Sequence, residues 1–145
     1  MAYSEVLIAP MREDLTRHGI REVRTPEQLD ALLGPGSGAV MVVTNSICGC
    51  AAGKARPGVV TALKNARNAP DVAATVFAGA DIAAVEHLRK KYLPNVPPSS
   101  PSVALFRNGQ PVYVMHRSDI EASDPATIAS RLIDAFDQYF AKQPQ

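Results

Sequence analysis

Apolar residues occur along this chain in two patterns, and the patterns alternate. Continuous apolar runs at 39–44 and 72–78 predict strands that are buried on both faces. After each run the apolar residues return at intervals of three and four, which predicts one helix to about Asn68 and another from Asp81 to about Tyr92. Pro57 is expected to kink or divide the first helix. This order predicts a parallel β-α-β unit with a right-handed crossover.

The pattern changes in the second half of the chain. A loop rich in proline and serine occupies 94–101, and short apolar runs at 102–106 and 111–116 predict two more strands. Asn108-Gly109 between them is a strong signal for a two-residue antiparallel hairpin. Asp124-Pro125 predicts the start of a last helix. The apolar face of this helix is expected to contain Ile128, Leu132, Ile133, Phe136 and Phe140.

Three shorter elements are predicted before the first buried strand. Residues 3–17 predict a helix, in which Pro10 either introduces a kink or starts a shorter helix. Residues 20–24 predict a short strand. Thr25-Pro26-Glu27-Gln28 combines an N-cap, a first-turn proline and a capping-box glutamine, which predicts a second helix. The expected buried positions of the two helices are Val6, Leu7, Met11, Leu15, Leu29, Leu32 and Leu33.

Both cysteines lie between the first buried strand and the helix that follows it, in Cys48-Gly49-Cys50. The N-terminus of a helix favours a nearby anion, and a thiol at this position often has a lowered pKa. We therefore expect a reactive pair. Two other interpretations stay open. The cysteines are small buried hydrophobic residues, or they bind a metal such as zinc, with His116 or a second subunit completing the four ligands.

The predicted elements together have the order of the thioredoxin fold. We expect an α/β protein with a central mixed sheet of four to five strands flanked by helices on both faces. Residues 1–145 are expected to form one domain with an N-terminal helical extension over about 3–18. In this fold a proline precedes the third core strand, so Ser100-Pro101 is predicted to be a cis bond that lies against the cysteines.

Composition narrows the classes of function. The chain has 145 residues, of which 46% are hydrophobic and 20% charged, with a formal net charge of +1. These values are typical of a globular protein and give no support for a nucleic-acid partner. No apolar stretch approaches the ~20 residues that span a membrane, and the first 14 residues lack the pattern of a signal peptide. We expect a cytoplasmic protein, in which a cysteine pair is more often redox-active, catalytic or metal-binding than structural. Residues 143–145 are expected to be disordered.

The segment NSICGCAAGKARP at 45–57 resembles the active-site segment of the bacilliredoxins. Residues 76–79 with Asp81, and the loop at 98–102, are also similar to that family. The resemblance implies a thioredoxin fold and removal of bacillithiol from cytosolic proteins that carry it as a mixed disulfide. It assigns Cys48 as the nucleophile and Cys50 as the resolving thiol. It implies no cofactor, with bacillithiol as the co-substrate thiol and bacillithiolated proteins as partners.

Residues around the cysteines complete the predicted site. Asn45 and Ser46 are expected to form hydrogen bonds near the sulfur, and Gly49 to let the backbone bend between the thiols. Ser100 and Pro101 are predicted to form a wall of the site. Two cations of the helix are also candidates, either as groups that support the thiolate or bind the carboxylates of bacillithiol, or as part of a solvated helix face. These cations are Lys54 and Arg56.

Two alternatives to the bacilliredoxin function stay open. The ring of a Cys-x-Cys disulfide is smaller than that of Cys-x-x-Cys, so the bond is expected to be more easily reduced. That property favours a general protein disulfide isomerase or oxidant over a general reductant. The other alternative is a non-enzymatic thiol module that carries a metal or an iron–sulfur centre through Cys48 and Cys50.

Overall fold

A computed structural model describes residues 2–141, so the prediction for 143–145 lies outside the described residues. The helices are α1 (Glu5–Thr16), α2 (Pro26–Leu33), α3 (Arg56–Asn65), α4 (Ile82–His87), α5 (Arg117–Glu121) and α6 (Pro125–Tyr139), and the strands are β1 (Arg21–Glu22), β2 (Ala39–Asn45), β3 (Val72–Phe77), β4 (Ser102–Arg107) and β5 (Gln110–Met115). A π turn, Ala51–Ala55, precedes α3, and another, Leu88–Tyr92, follows α4.

The five strands form one mixed sheet in the order β1-β3-β2-β4-β5. Strands β1, β3 and β2 are parallel, whereas β4 is antiparallel to β2 and β5 is antiparallel to β4. The predicted thioredoxin-like α/β fold is therefore confirmed, and of the predicted strand numbers five is correct.

Strand β2 is the centre of the core, and every one of its residues is buried. Met41 and Val43 pack in a cluster with α3 and α6, whereas Val40 and Val42 pack in a second cluster with α2 and α4. Because successive side chains of a strand point to opposite faces, a strand with a core on each face needs an unbroken apolar run. This is the physical reason for the run at 39–44.

Two local predictions from the sequence are confirmed. Asn108 and Gly109 both have positive φ, +51° and +80°, as a type I′ hairpin turn requires. Thr25 Oγ1 accepts a hydrogen bond from the backbone N–H of Gln28, whose side chain accepts one in return from the Thr25 N–H. Both motifs act within a few residues, so the sequence alone identifies them.

The prediction for the buried face of α1 is confirmed for Leu15 and wrong for Val6 and Leu7. Val6 and Leu7 are 88% and 54% exposed, and the side chains that the helix buries belong to Ile8, Arg12 and Leu15. Pro10 lies inside the helix, which begins at Glu5. The spacing of apolar residues did not predict this face, because an arginine, Arg12, lies at its centre. Ion pairs with distant residues allow Arg12 to be buried.

Three further helices differ from the predictions. Helix α3 ends at Asn65 rather than near residue 68, and Pro57 lies in its first turn, which confirms division of the helix rather than a kink. Asp81 precedes α4, but its side chain makes no cap hydrogen bond, and Ile82 is 53% exposed instead of facing the core. Helix α5 was not predicted.

Between residues 2 and 141, no helix has the length and apolar content needed to cross a bilayer.

Candidate active site

Strand register brings the predicted site segments to one edge of the sheet. Asn45, the last residue of β2, pairs with Phe77 at the end of β3. On the other side Thr44 pairs with Ser102, the first residue of β4. The next strand pairs Val103 with Met115, the last residue of β5. Three segments therefore lie at the same end of the sheet. They are the cysteine segment, the loop at 94–101 (the proline loop) and the start of α5.

Cys48 and Cys50 form a disulfide with their Cα atoms 5.4 Å apart. Both side chains are half-buried, and Cys50 packs against the core cluster beneath α3 and α6. The contact with the core makes Cys50 the inner member of the pair. A thiol must be accessible to attack a substrate disulfide, so this arrangement supports Cys48 as the attacking thiol.

Cys48 occupies the N-cap of the helical segment that leads into α3. Its carbonyl accepts hydrogen bonds from the N–H groups of Ala51 and Ala52, at 3.0 and 3.3 Å. Its Sγ accepts one from the N–H of Cys50 at 3.3 Å. An N-terminal N–H group and the helix dipole both stabilise a negative charge on such a sulfur after reduction. We therefore expect the pKa of the Cys48 thiol to lie below its usual value.

Asn45 and Ser46 support the backbone around Cys48. Asn45 is 1% exposed, and its Nδ2 donates to the Met11 carbonyl at 3.1 Å while its Oδ1 accepts from the Ser46 N–H at 2.8 Å. The Ser46 Oγ then accepts from the Cys48 N–H at 3.1 Å. These bonds connect α1 to Cys48. In each bond, Asn45 or Ser46 contributes its side chain and the partner contributes a backbone group.

Arg56 is buried, so of the two alternatives for this residue the solvated helix face is wrong. Its Nη1 donates to Asp14 Oδ2 at 2.9 Å and contacts the Met11 carbonyl at 3.4 Å. Burial lowers the pKa of the guanidinium, and the nearby Asp14 carboxylate opposes this change. Arg56 thus joins α3 to α1. The ammonium of Lys54 donates to the Glu121 carbonyl at 2.6 Å, which joins the π turn to α5.

Gly49 does not require the freedom that the sequence suggested. Its φ lies outside the left-handed region, and a Cβ built on it would meet nothing within 4 Å. The bend between the cysteines is therefore compatible with other residues. The predicted cis bond between Ser100 and Pro101 is confirmed, and Pro101 is buried. A contact of this proline with the cysteines stays a prediction.

The sequence reading missed Arg117, which holds the proline loop. Its backbone N–H donates to Ser99 Oγ and its Nη1 to the Ser100 carbonyl, both at 3.3 Å. Its Nε donates to Glu121 at 2.5 Å. A signal for α5 exists in the sequence, because Asp119 lies three residues after His116 and caps its N–H at 2.9 Å. Among residues 2–141, no three His, Cys, Asp or Glu side chains are grouped so that they could hold a metal ion.

Comparisons with known proteins agree with this geometry. A family model described as "Disulphide isomerase" matches residues 3–140. A bacilliredoxin of Salinibacter ruber is 49% identical over 140 residues, which cover 96% of this chain and 81% of the relative. One of Koribacter versatilis is 47% identical over 137 residues, covering 94% of this chain and 93% of the relative.

Solved structures show the same fold at low sequence identity. A mutant thioredoxin from Halobacterium salinarum matches with a TM-score of 0.59 at 19% identity, covering 88% of this chain and 96% of its own. An oxidised thioredoxin from Arabidopsis thaliana matches with a TM-score of 0.57 at 15% identity, covering 86% and 97%. With the family match over nearly the whole chain and the paired cysteines at a helix N-terminus, the protein belongs to the bacilliredoxin family and is a thiol-disulfide oxidoreductase.

Proposed function

We propose that this oxidoreductase removes bacillithiol from mixed disulfides on cytosolic proteins. The observation that carries the proposal is the position of Cys48, whose sulfur accepts the Cys50 N–H at the start of a helix while Cys50 packs against the core. This arrangement gives one accessible thiol with a stabilised thiolate and a second thiol within reach of it. Relatives at 47–49% identity bear the name bacilliredoxin, which supports bacillithiol as the thiol removed.

The reaction consists of two thiol–disulfide exchanges. The Cys48 thiolate attacks the bacillithiol sulfur of the mixed disulfide, the protein–bacillithiol bond breaks, and the protein cysteine leaves as a thiolate. Cys50, deprotonated, then attacks Cys48 and releases bacillithiol as a thiolate. The products are the Cys48–Cys50 disulfide and two free thiols, so the enzyme loses two electrons and the substrate gains them. Two molecules of a low-molecular-weight thiol regenerate the enzyme by two further exchanges and leave as their own disulfide.

The test uses Cys50→Ser, which lacks the resolving thiol and should retain any captured group on Cys48. The reduced variant is exposed to a bacillithiolated protein and, in parallel, to the same protein glutathionylated. We expect intact mass spectrometry to show a bacillithiol adduct that is absent from Cys48→Ser. Adducts from both substrates indicate a broader thiol transferase. No adduct from either substrate contradicts the proposal.

The family model's description favours a second candidate, a protein disulfide isomerase. An isomerase attacks protein–protein disulfides, and its first thiol stays bound to the protein rather than to a small thiol. Incubation of Cys50→Ser with a protein containing scrambled disulfides separates the two functions. A covalent enzyme–protein complex without a bacillithiol adduct supports the isomerase.

A further inference from the structure

An open cavity of about 510 Å³ lies beside the loop that contains Ser100 and Pro101. One wall is formed by loop residues 97–99, and the other by His116, Arg117, Ser118 and Glu121. Its volume is within the range of ~300–1,000 Å³ that is typical of small-molecule sites. Prolines supply apolar surface, and the opposite wall supplies charged and hydrogen-bonding side chains.

Both walls are joined to segments that flank the disulfide. The Nη1 of Arg117 donates to the carbonyl of Ser100, the residue before the cis proline. The backbone carbonyl of Glu121 accepts a hydrogen bond from the Lys54 ammonium. Lys54 lies four residues after Cys50. Helix α5 packs beside the π turn that contains Lys54. Helix α5 therefore connects this cavity to the helical segment that begins at the cysteines.

The charge of this region suits an anionic ligand. A narrow second cavity shares loop residues 97–99 and His116 with the first and adds Arg89 to the lining. Among the residues that line the two cavities, the cations are Arg89 and Arg117, and the acid is Glu121. The Glu121 carboxylate is already bonded to Arg117 Nε at 2.5 Å. Arg117 and Glu121 of the first cavity are thus paired with each other, and the excess positive charge of the combined lining comes from Arg89 in the second cavity. The Ser118 hydroxyl and the His116 imidazole also line the first cavity.

We propose that this cavity binds the carboxylates of the low-molecular-weight thiol in the mixed disulfide. This inference rests on the proposed function, because it identifies the site for the small half of that substrate. Bacillithiol has two carboxylates on its malyl group, whereas its reacting sulfur is at the other end of the molecule. Arg117 binds a carboxylate as the cation, with the Ser118 hydroxyl and His116 as hydrogen-bonding groups. The sulfur is then presented to Cys48.

The test compares one protein substrate that carries either bacillithiol or the corresponding thiol without the malyl group. We measure kcat/KM for release of each thiol and take the ratio, which cancels any general effect on loop structure. Arg117→Met is expected to lower the ratio about tenfold, which corresponds to about 1.4 kcal/mol. Arg117→Lys retains the charge but loses the planar fork, so its ratio should be intermediate. Arg131→Met on α6 is the matched control and should retain the wild-type ratio.

An unchanged ratio in Arg117→Met overturns the inference, even if both rates fall, because Arg117 then acts only by holding the loop. Wild-type protein that releases neither thiol contradicts the proposed function instead. In that case binding is measured directly, by NMR titration of S-methyl bacillithiol into wild type and Arg117→Met. Shifts at 97–99 and 116–118 that are lost in the variant support the cavity, and an absence of shifts in the wild type overturns it.

Discussion

At the scale of single residues, backbone hydrogen bonds surround Cys48. The Asn45 side chain accepts a hydrogen bond from the Ser46 N–H, and the Ser46 side chain accepts one from the Cys48 N–H. The Cys50 N–H donates to the Cys48 sulfur. After reduction we therefore expect backbone groups, rather than a basic side chain, to stabilise the thiolate.

Asn45→Asp is expected to loosen this arrangement. The substitution replaces the Nδ2 donor with an acceptor that faces the Met11 carbonyl, so a buried hydrogen bond becomes a repulsive contact. We expect a loss of about 1–3 kcal/mol in the free energy of unfolding. In the reduced Cys50→Ser background, the pH midpoint of Cys48 alkylation should rise.

The control is Asn65→Asp at the far end of α3, where the amide donates to the Thr61 carbonyl on the exposed surface. This control should leave the alkylation midpoint unchanged. The role assigned to Asn45 is wrong if its own variant also leaves the midpoint where it is in the Cys50→Ser protein.

At the scale of elements, α1 is attached to the sheet by ion pairs. Arg12 is 4% exposed and donates two hydrogen bonds to Asp81, at 2.7 and 2.9 Å, and two to Glu5, both at 3.0 Å. Burial opposes the charge on Arg12, but these bonds outweigh it and raise the pKa of the guanidinium above its usual value. Asp81 also accepts the Phe77 N–H at 2.9 Å. The pair therefore places α1 against the end of β3.

Arg12→Met is expected to destabilise the protein by about 3–5 kcal/mol, because it leaves the buried Asp81 carboxylate without its cation. Urea unfolding followed by circular dichroism measures this change. Adding Asp81→Asn should recover part of the loss, since the amide oxygen still accepts the Phe77 N–H without a buried charge. Arg17→Met, at the exposed C-cap of the same helix, should cost less than about 1 kcal/mol. Equal losses for the two arginines contradict this account.

At the scale of the whole molecule, the free energy of unfolding should fall at acid pH, because carboxylates that are paired in the folded state become protonated. Hydrogen bonds from Tyr92 at 2.5 Å, His87 at 2.8 Å and Lys91 at 3.0 Å hold the pKa of Asp30 well below its usual value. A carboxylate with a lowered pKa in the folded state stabilises it above the unfolded pKa. That contribution is lost as the pH falls through the folded pKa.

Asp30→Asn is therefore expected to be less stable than the wild type at neutral pH, and the difference should shrink as the pH falls below about 4. The urea midpoint of both proteins, measured at intervals between about pH 7 and 2, tests this sign. Asp134→Asn, an exposed carboxylate on α6, is the control and should follow the wild type. A difference that grows toward acid pH is inconsistent with the lowered pKa.

The elements that the sequence predicted well depend on nearby residues. The apolar run of β2, the Asn108-Gly109 turn, the Thr25 capping box and the Asp124 cap of α6 are each determined within a few positions. Strand, helix and turn order then limits the topology, because parallel crossovers and hairpins have few arrangements. For the same reason the cysteine pair was located correctly at a helix start.

The elements that only the tertiary structure decided depend on partners far along the chain. Arg12 is buried because Asp81 lies 69 positions later, and Arg56 is buried because Asp14 lies 42 positions earlier. Arg117 reaches the proline loop from 17 positions away. From the sequence alone, a charged residue is predicted to be exposed, because burial of a charge is favourable only when a partner neutralises it. The sequence by itself therefore determined the fold and the position of the thiols, and the tertiary structure decided which charged side chains are buried and what they bind.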